Sequence, residues 1–172
     1  MPTMDDNGGA ATAVDAREAV GARLIRLGSR LHRMQVERLA ALSTPVSVRQ
    51  YRILDRVDQG NTSLGRLARL ARRRPSTISK SADSLVRQGL LTRTEGAEDR
   101  RLVVLRLTPA GAALLGEARA EISELARWLV SVSGLDAAIL AVFIDDLYEQ
   151  TERAMDSLEA PPPGRPATAE VE

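Results

Sequence analysis

The chain has 172 residues, no cysteine, one histidine, one Phe, two Tyr, one Trp and a formal net charge of +1. That length fits one compact unit. The composition excludes disulfides, cysteine zinc sites, thiol-based peroxide sensing and a histidine-rich metal sensor, and argues against a single-strand binder that stacks bases on rings.

Met1 to about Thr12 is polar and glycine-bearing and is expected to be a disordered tail. A long helix is predicted over about 13–42. Val20, Leu24, Leu27, Leu31 and Met34 recur along it at alternating spacings of four and three, a stripe suited to packing on another long helix. Ser43-Thr44-Pro45 breaks it. A second helix is predicted from Val48 to about Asp58 with Tyr51, Leu54 and Val57 inward, and Gln59-Gly60-Asn61 forms a turn. Ser63 then caps a short helix whose apolar positions are Leu64, Leu67, Ala68 and Ala71.

Arg72-Arg73-Arg74 is the densest positive cluster of the chain. Pro75 suits a helix start, and the hydroxyls of Ser76 and Thr77 are placed to cap its first N–H groups. Ile78, Ala82, Leu85 and Val86 form one helix face, and Gly89 stops the helix. The other face carries Thr77, Lys80, Ser81, Ser84 and Arg87, all short, polar or cationic. Two strands follow, Leu91–Arg93 and Leu102–Leu107, around a polar tip that contains Asp99, Arg100 and Arg101. Thr108 caps a helix that begins at Pro109 and runs to about Val132; Asp136 caps the last one, to about Leu158. The segment 160–172, with its Pro-Pro-Pro-Gly, is expected to be a disordered tail.

Charge follows this order. Residues 60–107 carry eleven Lys/Arg against four Asp/Glu, residues 1–59 nine against seven, and residues 108–172 four against twelve. A positive segment that coincides with a helix-turn-helix and hairpin is the footprint of a DNA binder.

The predicted fold is mainly α with a small β-hairpin wing. It is a winged helix-turn-helix lobe (about 47–107) within one domain (13–159), with long N- and C-terminal dimerisation helices (about 13–42 and 109–158). Those terminal helices hold more apolar surface than a small lobe can bury, so a homodimer is expected. In it the first, fifth and sixth helices of two chains would interdigitate.

At Leu67-Ala68, Pro75 to Lys80 (P-S-T-I-S-K), Leu85 to Arg93 (L-V-x-x-G-L-L-x-R) and Asp99 to Gly111 (D-R-R, then L-T-x-x-G), the chain resembles the MarR family of bacterial transcriptional regulators. The resemblance spans roughly Ala13 to Leu158. It departs from the family at Arg66, where an acidic residue is frequent, and at Arg72 and Arg73, where Gly or an apolar residue is frequent. It implies an interdigitated dimer and a small-molecule effector bound between the dimer helices and the winged lobe.

The expected function is therefore sequence-specific binding of double-stranded DNA by a homodimeric regulator. It would be a repressor on a pseudo-palindromic operator, released by an effector. Ser76, Thr77 and Lys80 lie where a recognition helix reaches base edges. Ser79, Ser81, Ser84 and Arg87 join them on DNA, together with Arg72, Arg73 and Arg74 of the turn. Arg100 or Arg101 would enter a minor groove, and Asp99 would hold the wing. His32, Tyr51 and Trp128 are candidates for the effector site, although core, surface or interface roles explain each of them too. Asp145, Asp146 and Glu149 read as a solvated helix face. No catalytic motif, cofactor motif, signal peptide or membrane-length apolar run is visible, so a non-enzymatic, cytoplasmic protein without cofactor is expected. The 23 arginines against the single Lys80 read as a GC-rich coding bias of a bacterial source. The competing expectation is a winged-helix protein-interaction module with weak, nonspecific DNA affinity.

Overall fold

The computed structural model describes residues 8–95 and 103–159. Within them the order is α1 (Gly8–Ala40), α2 (Val48–Asp58), α3 (Leu64–Leu70), α4 (Pro75–Arg87), β1 (Leu91–Glu95), β2 (Val103–Leu107), α5 (Pro109–Ser133) and α6 (Ala137–Glu159). The chain divides into two compact units, Met1–Leu125 and Ala126–Glu172. The mainly helical winged fold expected from the pattern is present.

Helix α1 begins earlier than expected. Residues 8–12, assigned above to a disordered tail, are helical, in keeping with the high helix propensity of Ala10, Ala11 and Ala13. Residues 1–7 and 160–172, the rest of the two expected tails, lie outside the described residues.

The first unit is organised by helix ends. Ser47 and Gln50 form a reciprocal capping box at the start of α2: the Gln50 N–H donates to Ser47 Oγ at 3.2 Å and the Ser47 N–H to Gln50 Oε1 at 2.9 Å. Ser63 caps α3 by accepting from the Arg66 N–H at 3.2 Å. Such caps stabilise a helix by about 1 kcal/mol each. At their C-termini α2, α3 and α4 close in the same way, with paired backbone bonds across a left-handed residue. That residue is Gly60 after α2 and Gly89 after α4, but after α3 it is Arg72, at φ +47°. There the Arg73 N–H reaches Ala68 O and the Arg72 N–H reaches Arg69 O, both at 3.0 Å.

The core is aliphatic, as the scarcity of rings requires. Leu54 and Val57 of α2, Leu67 and Ala68 of α3, and Ile78, Ala82 and Leu85 of α4 meet there. Leu39, Leu91, Leu105 and Leu115 come in from α1, β1, β2 and α5. The apolar positions of α3 and α4 named from periodicity are those that pack, and Ile53 and Leu115 join them.

β1 and β2 pair antiparallel with Leu91 opposite Leu107 and Arg93 opposite Leu105. Ser63 bridges to Val104 as a third strand position, and the Leu105 N–H donates to Thr62 O at 2.9 Å. The hairpin is thereby fixed to the start of α3.

A second junction ties α4 to α5. Thr108 Oγ donates to Gly89 O at 2.7 Å and accepts from the Gly111 N–H at 2.9 Å. A Cβ on Gly111 would lie 2.0 Å from Leu90 O, so only glycine allows α5 this approach. The Thr-x-x-Gly pattern is thus a packing device. Arg119 of α5 holds α2 as well, donating to Asp55 at 2.7 and 3.0 Å and pairing with Asp58 at 2.8 Å.

In the second unit Asp136 caps α6 through the N–H groups of Ala138 and Ile139. None of the described side chains from 126 to 156 is buried. Ile139, Val142, Phe143, Ile144 and Tyr148 are all at least half exposed. Among the described residues no single helix is long and apolar enough to cross a membrane.

Candidate nucleic-acid interface

The interface is built on α4. Its apolar face is locked into the core by Ile78, Ala82 and Leu85, which leaves the opposite face outward. Ser76, Lys80 and Arg87 are exposed, and Thr77, Ser79, Ser81 and Ser84 are half-buried. Arg73 and Arg74 are exposed just before the helix, and Arg72 is half-buried in the turn.

The start of α4 differs from expectation. Its N-cap is Arg74, which makes no side-chain cap bond. Ser76 and Thr77 do not cap, because Pro75 occupies the first helical position and places both inside the first turn. The Thr77 N–H reaches Arg74 O at 2.9 Å. The hydroxyls of Ser76 and Thr77 are bonded to nothing among the described residues. An uncapped helix start with unengaged hydroxyls and two exposed guanidiniums attracts anions through its amide ends and its charge together.

The serines fall into two groups. Ser81 Oγ donates to Thr77 O at 3.2 Å, and Ser79 Oγ reaches Asp83 Oδ2 at 3.5 Å. Ser84 Oγ accepts from Gln50 and Gln88. Their hydroxyls serve the helix, whereas Ser76, Thr77, Lys80, Arg73, Arg74 and Arg87 have side chains without internal partners among the described residues.

Sequence reasoning missed one contact here. Arg93 of β1 pairs with Asp83 of α4 at 2.8 Å, joining the hairpin to α4. Asp83 lies two residues before the L-V-x-x-G-L-L-x-R run, and Arg93 ends it. A basic residue on the strand and an acid on the helix before the glycine stop were the available signal. Asp99, Arg100 and Arg101, the expected wing-tip residues, lie outside the described residues.

The three effector candidates occupy different settings. His32 is exposed on α1, Tyr51 is half-buried on α2, and Trp128 is exposed in the second unit. Burial, and next the carboxylate of Asp55, pushes the Tyr51 phenol above its usual value, so it remains a neutral hydrogen-bond donor. Among the described residues no group of three or more His, Cys, Asp or Glu side chains could hold a metal ion.

The winged segment, residues 46–103, matches the MarR family model. The chain is 28% identical over 81 residues to an uncharacterized HTH-type transcriptional regulator, YhbI of Bacillus subtilis, covering 46% of this chain and 53% of the relative. It thus spans about half the length of that curated relative. Among solved structures it resembles the transcriptional regulator BldR from Sulfolobus solfataricus, with a TM-score of 0.68 and 22% identity over 81% of this chain and 97% of that one. It also resembles a MarR variant from E. coli complexed with operator DNA, with a TM-score of 0.64 and 21% identity over 74% and 91%. CouR from Rhodococcus jostii bound to p-coumaroyl-CoA gives a TM-score of 0.62 and 25% identity over 74% and 88%. The first two likenesses are likenesses of fold.

Proposed function

We propose that the chain, whose winged segment matches the MarR family model, is a transcriptional regulator that reads double-stranded DNA. It acts as a homodimeric repressor on a pseudo-palindromic operator and leaves it when a small-molecule effector binds.

The observation that carries this reading is the outward face of α4. Ser76, Thr77 and Lys80 stand in its first turn and a half, flanked by Arg73, Arg74 and Arg87, and none of these side chains is engaged elsewhere among the described residues. Hydroxyls and an ammonium at the start of a recognition helix match base edges, and the arginines match phosphates. Asp83 and Arg93 keep the hairpin in register with that helix. Arg100 or Arg101, outside the described residues, adds a minor-groove contact in this reading, with Asp99 as the wing-stabilising residue.

The dimer is supported by the exposed apolar side chains of α1 and α6. A two-fold pair places its recognition helices about 34 Å apart, one turn of DNA. The effector reading follows the ligand-bound relative, CouR, with Tyr51 as a neutral donor and His32 and Trp128 as further candidates. The protein works without catalysis or cofactor, in the cytoplasm.

The test is selection of bound fragments from sheared genomic DNA at moderate salt, followed by sequencing. Enrichment of a pseudo-palindrome is expected. Thr77→Ala and Lys80→Ala should each then weaken binding to that sequence by about 1–3 kcal/mol, with smaller losses on random DNA. Uniform, salt-sensitive recovery with no motif overturns the reading in favour of a protein-interaction module.

A further inference from the structure

Helices α1 and α6 both leave apolar side chains outside, and they carry opposite charge. On α1, Arg23, Arg26, Arg30 and Arg33 recur at intervals of three and four, which puts them in one row. All four are exposed, and none makes an ion pair among the described residues. Arg23, Arg26 and Arg30 frame an open groove of about 230 Å³ with Leu27. Beside this row run Val20, Leu24, Leu27 and Leu31, of which Val20 and Leu27 are half exposed. Like charges at these spacings oppose one another weakly along a helix, a cost that facing carboxylates relieve.

Helix α6 carries the complementary row. Asp145, Glu149, Glu152 and Asp156 recur at intervals of four and three, and Arg153 pairs with Glu149 within the helix. At 1.5 Å per residue the arginine row is about 15 Å long and the carboxylate row about 17 Å. The other side of α6 presents Ile139, Phe143 and Ile144, all at least half exposed.

We infer that the arginine row of α1 docks on the carboxylate row of α6 in a second copy of this chain, and that this pairing selects the partner. The inference rests on the homodimer proposed above and adds the residues that decide which chains associate. Each copy supplies one row of each sign, so a two-fold arrangement forms the contact twice. Apolar side chains supply most of the association energy, while the rows reject chains whose charges do not match.

The experiment uses the full chain, with mass followed by light scattering during size exclusion at about 0.15 M salt, where exposed pairs about 4 Å apart lie well inside the Debye length. Two double variants are prepared, Arg26→Glu with Arg30→Glu, and Asp145→Arg with Glu149→Arg. Each alone is expected to raise the dimer dissociation constant at least tenfold, while an equimolar mixture forms heterodimers with near wild-type affinity. Mixing rescues only pairing between chains, since pairing within one chain stays mismatched in both variants. Circular dichroism of each variant, and the milder Arg26→Gln with Arg30→Gln, guard against loss of folding. A mixture that fails to associate overturns the inference, as do reversal variants that dimerise like wild type. A wild-type chain that is monomeric at micromolar concentration instead removes the homodimer reading itself.

Discussion

Helices α4 and α6 are both amphipathic, and their fates differ. The apolar face of α4 is buried by its own chain: Leu85 is 0% exposed and Ile78 1%. On α6 Ile139 is 68% exposed and Phe143 56%. Periodicity states which side of a helix is apolar but not what will cover it. For α4 the cover comes from α2, α3 and the hairpin, close by in sequence. For α6 no described residue is fully buried, and Leu140 and Leu147 are only half-buried.

A matched pair of substitutions tests that contrast most strongly. Leu85→Ala should destabilise the lobe by about 2–5 kcal/mol, the cost of a buried cavity, as measured by urea denaturation. Ile139→Ser should change the stability of the isolated protomer by no more than about 0.5 kcal/mol while shifting the chain from dimer towards monomer in sedimentation. Equal losses of stability from both would mean that α6 is covered within its own chain.

Gly111→Ala should cost about 3 kcal/mol by overpacking, because the new Cβ would collide with the Leu90 carbonyl. Its urea midpoint should fall with an unchanged slope. A mild effect would show that α5 can withdraw from Leu90, and that the junction below the recognition helix is soft.

Arg72→Gly should act in the opposite direction. A left-handed arginine costs roughly 1 kcal/mol relative to a residue that accepts that conformation, so thermal melting should rise by a few degrees. DNA affinity, read on the same variant, separates backbone strain from function. If the lobe gains stability while operator binding weakens, the arginine is retained for its charge, as strained residues at functional sites are.

The smallest effect concerns pH. Bonds from the Ser43 N–H and hydroxyl to Glu117 hold that carboxyl below its ordinary value of 4.5. Its contribution is therefore complete above pH 4.5 and fades as pH falls through the depressed folded value. Glu117→Gln should flatten that part of the stability profile and leave the neutral region unchanged. An unaltered acid limb would place the sensitivity elsewhere.

Much of this lobe is legible in the sequence because local chemistry decides it. Pro75 and Gly89 bracket α4, Ser63 and Thr108 cap where their spacing places them, and a 3.6-residue period separates Ile78 and Leu85 from Thr77 and Lys80. The rest depends on facts that spacing does not contain. Whether Ser76 caps depends on which residue precedes the first helical turn, and here Pro75 gives that place to Arg74. The Asp83–Arg93 pair joins residues ten apart across a turn, so it needs the angle between α4 and β1. The left-handed Arg72 runs against the glycine preference of such a turn, which a residue-type rule reads in the wrong direction. The helical 8–12 stretch shows alanine propensity prevailing over two glycines.

Thr108 uses one oxygen to hold the carbonyl at the end of α4 and the amide at the start of α5. With Gly111 pressed against Leu90, there is no slack between these two helix ends. A twist of the first turns of α5 would therefore be felt directly at the end of α4 through these two bonds. The two rods share a crank pin, and its stiffness comes from a hydroxyl and a missing methyl group.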